Sequence, residues 1–508
     1  MMNPFRHLFS RDSLGCWALV VVGLTELLWS LDYHEERWRT TLPEVAQGES
    51  GDGLVIQCNG LGYYAWLRSL LIDGDWSFDN EFDEHNPLHY YVPLPRYRTP
   101  LGRRANQWSV GPACAWALTV VPGHLGLRAT EGWLSPWAAD GYSLPYQLLV
   151  GGTSLLIAFL GLGFLYAICR TQARPARAGL ATALLTLGTT IVYFNAIEIS
   201  LPHGMGTAVL AGLVWYWLRT FGSSRPRRWF LVGILVGAAA LMRWQLAAFA
   251  LLPAGEAILS ARRQGPRYAA LASLAGCGAL LAFTPQMIAW RCVYGAWLVN
   301  PIQGVSYHWL QPSLCAVLFS QDRSLFYWTP LTMIALGGAV GAATPWERFS
   351  SAKSQVNNVP REPCQLLLAA FIVQVLVLAG MWGKGEWLPN TGNFAGVYLA
   401  RSYGFRDLTE SLAALAPGLA WLLERASPLR FRLLAGLGFL LVVWNLLLLS
   451  VYTNGLIDAD AGANPGILLT QAGQLIRNDP FVLLQVLQGP ILVGLPLAGS
   501  IKEYSPSV

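Results

Sequence analysis

Carboxylates, arginines and aromatic rings recur together in a few places in this sequence, and the stretch from Asp32 to about Ser143 holds many of them. Asp52, Asp73, Asp75, Glu81, Asp83 and Asp140 lie in it. A carboxylate set against apolar walls has a raised pKa, which suits it to taking a proton from a hydroxyl near neutral pH. Arg243 closes the apolar run Gly233 to Met242, and Arg323 sits in SQDRS. A guanidinium there could snorkel to headgroups or hold a phosphate through charge-assisted hydrogen bonds. Asp322 is placed to pair with Arg323, and Arg401 and Arg406 are further cations in a later polar stretch. Tyr63, Tyr64, Trp66, Trp76, Trp108 and Trp133 offer faces for a sugar, although Trp also gathers at headgroup depth for reasons unrelated to catalysis. Glu198 and His203 flank one helix junction, where a capped helix end explains them more simply than a ligand does. His85, His89 and His124 match no ligand spacing, so neither a metal nor any other cofactor is expected.

The elements that must position these groups are membrane helices. Only 12% of the 508 residues are charged and 54% are hydrophobic, whereas a soluble domain carries about 25% charged residues. Lipid is therefore the main solvent. Apolar runs lie near residues 12–31, 144–169, 179–197, 204–219, 228–242, 245–260, 268–290, 325–343, 364–382, 409–423, 431–452 and 480–499, each near the roughly 20 residues that cross a bilayer. The expected fold is all-α and polytopic, with about twelve transmembrane helices. A shorter stretch, Val110 to Val121, carries Pro112 and is followed by Pro122. Read as non-crossing, it leaves the arginines at 170–177, 219–228, 262–267, 348–361 and 425–432 on the side of the N-terminus, as the positive-inside rule requires. The chain then divides into a first transmembrane helix (1–31), an extracytoplasmic loop with interfacial helices (32–143), a multi-helix transmembrane domain (144–499) and a cytoplasmic tail (500–508). The net charge of +5 comes from arginines scattered between apolar runs, which argues against nucleic acid as a partner. The eight cysteines form no CxxC pattern.

Six segments in order, NGLGYYAWLRSLLIDGDWSFDNEF from Asn59, TPLGRRANQWSVGPACAW from Thr99, ADGYSLPYQ from Ala139, LMRWQ from Leu241, FSQDRSLFYWTPL from Phe319 and WNLLLLSVYTNG from Trp444, carry a resemblance. The chain resembles the integral-membrane glycosyltransferases of the GT-C superfamily, among them protein mannosyltransferases and the aminoarabinose lipid A transferase, and within it a bacterial branch. The resemblance implies a GT-C-type fold with a large first extracytoplasmic loop. It further implies inverting transfer of a hexose or aminosugar from a polyprenyl-phosphate donor to a glycan, lipid or protein acceptor, at the outer face of the bacterial inner membrane. It places the catalytic base a few residues before the aromatic pair Tyr63 and Tyr64, where this chain has Asn59. An amide cannot act as that base, so Asp140 and Asp52 become the candidate replacements, with Asn59 marking the catalytic corner. Arg243 and Arg323 are expected at the donor phosphate, and Tyr63, Tyr64, Asp322 and Arg401 at the substrates. The competing expectations are an inactive glycolipid-binding relative, motivated by Asn59, and a lipid-linked sugar flippase, which would need charges in mid-span.

Overall fold

Apolar runs that open on proline and end near arginine become helices, because proline is preset for a helix's first turn and needs no N–H partner there. The structure, a computed structural model, describes residues 14–46, 55–56, 59–83, 98–132, 135, 137–300, 308–320, 323–344, 360–381, 386–388, 393–395, 402–453, 470, 473 and 477. Helix α1 (Leu14–Ala46) is followed in the first loop by α2 (Asn59–Arg68), α3 (Asp79–Asp83) and α4 (Gly111–Thr130). The bundle continues with α5 (Leu144–Cys169), α6 (Pro175–Leu187), α7 (Ile191–Ala196), α8 (Pro202–Thr220), α9 (Pro226–Met242), α10 (Leu251–Gln264) and α11 (Arg267–Tyr294). Two short helices, α12 (Leu314–Phe319) and α13 (Leu325–Trp328), precede α14 (Leu331–Ala343), α15 (Arg361–Met381), α16 (Ala416–Arg425) and α17 (Pro428–Thr453). A small antiparallel hairpin joins β1 (Glu386–Leu388) to β2 (Asn393–Ala395).

Six helical stretches are long and apolar enough to cross a membrane: Leu14–Glu35, Leu144–Cys169, Trp244–Gln264, Arg267–Tyr294, Arg361–Met381 and Pro428–Thr453. The protein is thus an all-α integral membrane protein, and the remaining expected spans within the described residues are shorter or interrupted. The run 179–197 breaks between α6 and α7, and the amide of Asn445 on α17 repairs the break by donating to the carbonyls of Leu187 and Thr189 at 2.8 and 3.0 Å. Such repair is what allows irregular backbone at membrane depth. The run 325–343 likewise divides at Pro330, and 409–423 opens as a tight 3₁₀ stretch, Glu410–Leu415, before α16. Val110 to Val121 becomes part of the 20-residue α4, with Pro122 inside it; it is not among the six. The run 480–499 lies outside the described residues.

The arginine-rich turns meet one another at one end of the bundle. Arg174 pairs with Glu424 at 2.8 Å, and Arg177 donates to the carbonyls of Leu423 and Glu424. Arg263 pairs with Glu362 at 3.0 Å, and Arg228 with the buried Glu256 at 2.7 Å. Helix α9 starts beside this end at Arg225 and finishes 17 residues later before Arg243, about 25 Å away at 1.5 Å per residue. Its packing on α11 depends on glycine: a Cβ on Gly233 would lie 2.0 Å from the Ala275 carbonyl oxygen, and one on Gly237 2.3 Å from that of Ala279. Small residues of this kind let helix backbones touch where lipid supplies no hydrophobic drive for association.

Two outcomes follow. Gly233→Leu should lower the thermal midpoint in detergent, at the roughly 1–3 kcal/mol typical of overpacking, whereas Gly276→Leu on the same helix pair, with open space around it, should not; equal midpoints would remove the argument for the α9–α11 contact. With native cysteines replaced, single cysteines at the exposed positions Leu101 and Arg227 should differ in labelling by an impermeant thiol reagent applied to intact cells. Reaction at 101 alone is expected, and reaction at 227 alone would invert the topology.

Candidate active site

Helix α2 reaches the bundle through its glycines. A Cβ on Gly60 would sit 2.3 Å from Ser200 Oγ and one on Gly62 2.1 Å from the Trp108 ring. The motif NGLGYY is therefore a docking surface, with Asn59 at the helix start against the turn that joins α7 to α8. Asn106 donates to the Gly62 carbonyl at 2.9 Å, and the Trp66 indole to the Trp108 carbonyl at 2.9 Å. The start of α4 fastens the loop further, since Ser109 donates to the carbonyl of Met242 at 2.5 Å and the Val110 N–H to Gln286 at 2.9 Å. The first loop thus closes over the Arg243 end of α9.

The two tyrosines diverge. Tyr64 is buried, donates to the Gly141 carbonyl at 2.7 Å and packs on Trp116 and Tyr142, a structural role. Tyr63 is half-buried and lies in the field of Arg243, Arg406, Asp407 and Glu410; burial pushes its hydroxyl up to about 12 despite the two arginines. Arg243 itself forms a dense buried fork. One terminal nitrogen donates to Asp407 at 2.6 Å; the other lies 3.4 Å from Glu410 and 2.9 Å from His203 Nδ1. In the amide orientation that its surroundings require, the Gln245 oxygen accepts from the remaining guanidinium N–H and from the Asp407-bound nitrogen, at 3.2 and 2.6 Å. His203 Nδ1 also lies 3.0 Å from Glu410, so the position of its proton decides which neighbour it bonds. Burial alone would lift the Asp407 carboxyl, but Arg243 and then Arg406 hold it below the usual carboxylate range.

A second group adjoins this fork through Arg406. Around the Tyr452 hydroxyl act the charges of Glu198, Arg323 and Arg406, and Tyr193 hydrogen-bonds both Tyr452 and Glu198. Tyr193, Tyr403, Tyr452 and Trp328 pack as one aromatic nest with centroids 5.0 to 6.3 Å apart. Arg323 is 1% exposed and has φ +67°, so a β-carbon-bearing residue is held in the left-handed region. Strain of this kind costs on the order of 1–3 kcal/mol and tends to persist at functional sites.

The expected site residues separate accordingly. Arg243, Arg323, Tyr63 and Asn59 come to the same end of the bundle, whereas Tyr64 faces Gly141. Asp140 is exposed, and its carboxylate accepts the N–H groups of Tyr142 and Ser143, both at 2.8 Å, to shape the turn before α5. Other described first-loop acids are engaged within the loop. Glu81 accepts from Arg68 at 3.1 Å, Arg68 also pairs with Asp73, and Arg104 pairs with Asp83 at 2.7 Å. His124 hydrogen-bonds Tyr146 at 2.6 Å. Asp52, Asp322 and Arg401 lie outside the described residues. Asp407, Glu410, Tyr193 and Tyr452 were not foreseen. The available signal was the spacing RDLTE, two acids three residues apart at the mouth of an apolar run. A mid-span acid on α1 was also missed: Glu26 is buried and accepts from Asn195 at 3.1 Å.

Removing Arg243 strands two buried carboxylates, so Arg243→Met should cost about 3–5 kcal/mol and lower the thermal midpoint well below that of Arg406→Met; parity between them would contradict the fork's structural weight. Glu81 gives a pH test. Burial, opposed by Arg68, raises its carboxyl from 4.5 to about 7. The folded chain therefore binds this proton more tightly than the unfolded chain. The resulting stability is full below about 4.5 and is lost as pH rises through about 7. Wild type should lose stability between about pH 5 and 8 relative to Glu81→Gln, and parallel curves would contradict this.

Residues 150–290, from α5 to α11, match the family described as dolichyl-phosphate-mannose-protein mannosyltransferase. Three solved structures are similar in shape. ArnT from Cupriavidus metallidurans bound to undecaprenyl phosphate shares 16% identity at a TM-score of 0.49, over 94% of this chain and 72% of that one. Its apo form shares 15% at 0.47, over 84% and 66%. The archaeal oligosaccharyltransferase AglB from Archaeoglobus fulgidus, in complex with an inhibitory peptide and a dolichol-phosphate, shares 11% at 0.41, over 95% and 56%. A search of curated proteins gave no match. The segment matched to that family is the one that carries Glu198, His203 and Arg243.

Proposed function

We propose that the chain is a glycosyltransferase that moves a sugar from a polyprenyl-phosphate donor to an acceptor at the extracytoplasmic face of the membrane. The observation that carries this reading is the gathering of charged groups at the end of an apolar bundle opposite the arginine-rich turns: Arg243 forked between Asp407 and Glu410 and, with their charges felt at the Tyr452 hydroxyl, Glu198, Arg323 and Arg406. Transfer from a lipid phosphate requires cations that stabilise the departing phosphate, a carboxylate near the attacking hydroxyl, and apolar surface beside them for the polyprenyl tail. All three kinds of surface occur here. Arg243 has a supporting part. Its donors already face Asp407, Glu410, His203 and Gln245, so it holds the corner together; Arg323 takes the donor phosphate, as the motif resemblance implies, with Arg406, whose charge also reaches the Tyr452 hydroxyl. The family match over residues 150–290 and the ordered GT-C motifs support the same reaction type. Among the described residues, the mid-span acid Glu26 favours the flippase reading. A single acid hydrogen-bonded by an amide is less than the series of intramembrane charges that carries ions or headgroups across a bilayer.

The test is binding of undecaprenyl phosphate to the protein in nanodiscs. Charge-assisted contacts contribute about 1.5–3 kcal/mol each, so Arg323→Met and Arg406→Met should each weaken binding roughly tenfold or more, while Arg262→Met at the opposite end should leave it unchanged. Equal affinity across all three variants would refute the phosphate site.

A further inference from the structure

We propose that the arginine-rich end carries a binding site for the headgroup of an acidic phospholipid, in the corner where the turn between α8 and α9 meets the turn between α10 and α11. The corner is held together by specific contacts. Glu256, buried on α10, takes three donors: the Trp217 indole at 2.7 Å, the Gly222 N–H at 2.8 Å and one terminal nitrogen of Arg228 at 2.7 Å. Arg228 also donates its Nε to Thr220 at 2.9 Å and lies 4.9 Å over the Trp229 ring. Its other terminal nitrogen, Nη1, has no hydrogen-bond partner, although the residue is only 4% exposed. Trp229 meets Tyr268 edge-on at 6.1 Å, and Arg267 lies 5.4 Å over the Tyr268 ring. The two turns are thus fixed on each other by a neutralised ion pair and an aromatic pair.

Charge identifies the ligand. Arg219, Arg225, Arg227, Arg262 and Arg267 are exposed around this corner, and among the described residues the nearby acids are already engaged, Glu256 with Arg228 and Glu362 with Arg263. The contacts of α9 with α11 run in step, Gly233 against Ala275 and Gly237 against Ala279, so the two helices are parallel and both begin here. Their positive ends add to the arginines, and such an excess attracts phosphate. The surface beside it selects a lipid over a free anion. From Arg267, one exposed stripe of α11 runs through Ala270, Cys277 and Leu281 into the membrane span, at the spacing of a single helix face. A phosphate on Arg227 and Arg267 would lay its acyl chains along that stripe. A glycerophospholipid of net negative charge supplies both parts in one molecule. The corner lies at the opposite end from the Tyr452 nest, so it stands independently of the glycosyl-transfer reading.

The experiment titrates the full-length protein in detergent with phosphatidylglycerol and phosphatidylcholine of the same acyl chains, with bound lipid read by native mass spectrometry. Each arginine near a headgroup contributes about fivefold in affinity. Arg227→Met/Arg267→Met should therefore weaken phosphatidylglycerol binding by roughly 25-fold, to the level of phosphatidylcholine. Arg430→Met/Arg432→Met removes the same charge from exposed positions at the start of α17 and should leave binding unchanged, and Arg227→Lys/Arg267→Lys should keep most of it. Equal binding of the two lipids by wild type, or equal losses in the two methionine doubles, would overturn the site, because the attraction would then be diffuse. Competition by glycerol phosphate as strong as that of the lipid at equal concentration would overturn the assignment to a lipid. Undecaprenyl phosphate binding should be the same in wild type and both methionine doubles; its loss in Arg227→Met/Arg267→Met alone would mean that the corner receives the polyprenyl lipid and would overturn the phospholipid assignment.

Discussion

A charge inside an apolar bundle must be paired, and the pairing of Arg243 determines how this end of the protein is assembled. An isolated guanidinium at that depth would be too costly to keep, and so would Asp407 or Glu410 alone. Together they form a satisfied fork that binds the end of α9 to the start of α8 through His203 and to the turn before α16 through both acids. Tyr63 and the docked face of α2 lie over it. The fork therefore fixes the distance between the first loop and the late polar turn, the two segments that border the proposed reaction space.

The polar groups are divided between two ends, with different tasks. At the arginine-rich end, ion pairs such as Arg174 with Glu424 and Arg263 with Glu362 join one turn to the next, and their arginines are exposed. Pairs of that kind contribute little to stability. At the other end the charges are buried, surrounded by aromatic rings, and include a strained Arg323. The first loop adds a third arrangement, in which Arg68 and Arg104 neutralise its own acids. These described carboxylates are thereby held within the loop, away from Arg243.

Much of the frame was legible in the sequence, since hydropathy depends on composition over some 20 residues and survives ignorance of contacts. The run 144–169 coincides with α5, and the arginine turns expected on one side do meet one another. Interruptions were not legible, because the break between α6 and α7 is stabilised by Asn445, which lies more than 250 residues away. The site was half legible. Arg243 and Arg323 stood out as cations at the ends of apolar runs, but Asp407 and Glu410 belong to Arg243 only through a fold that joins positions 164 and 167 residues apart. Asp140 looked like a free acid because its two backbone partners follow it directly and carry no mark in the sequence. Glu198 and His203 were visible as a polar junction; their value came from what α2, α9 and α17 bring to that junction.

The central claim is that a lipid phosphate is received at the Tyr452 end of the bundle. An experimental structure with undecaprenyl phosphate bound tests it most directly. The account predicts a phosphate within hydrogen-bond reach of Arg323 and Arg406, with its tail along the apolar wall. A phosphate seated instead among Arg174, Arg177 and Arg228 at the opposite end, with the Tyr452 nest unchanged, would contradict it.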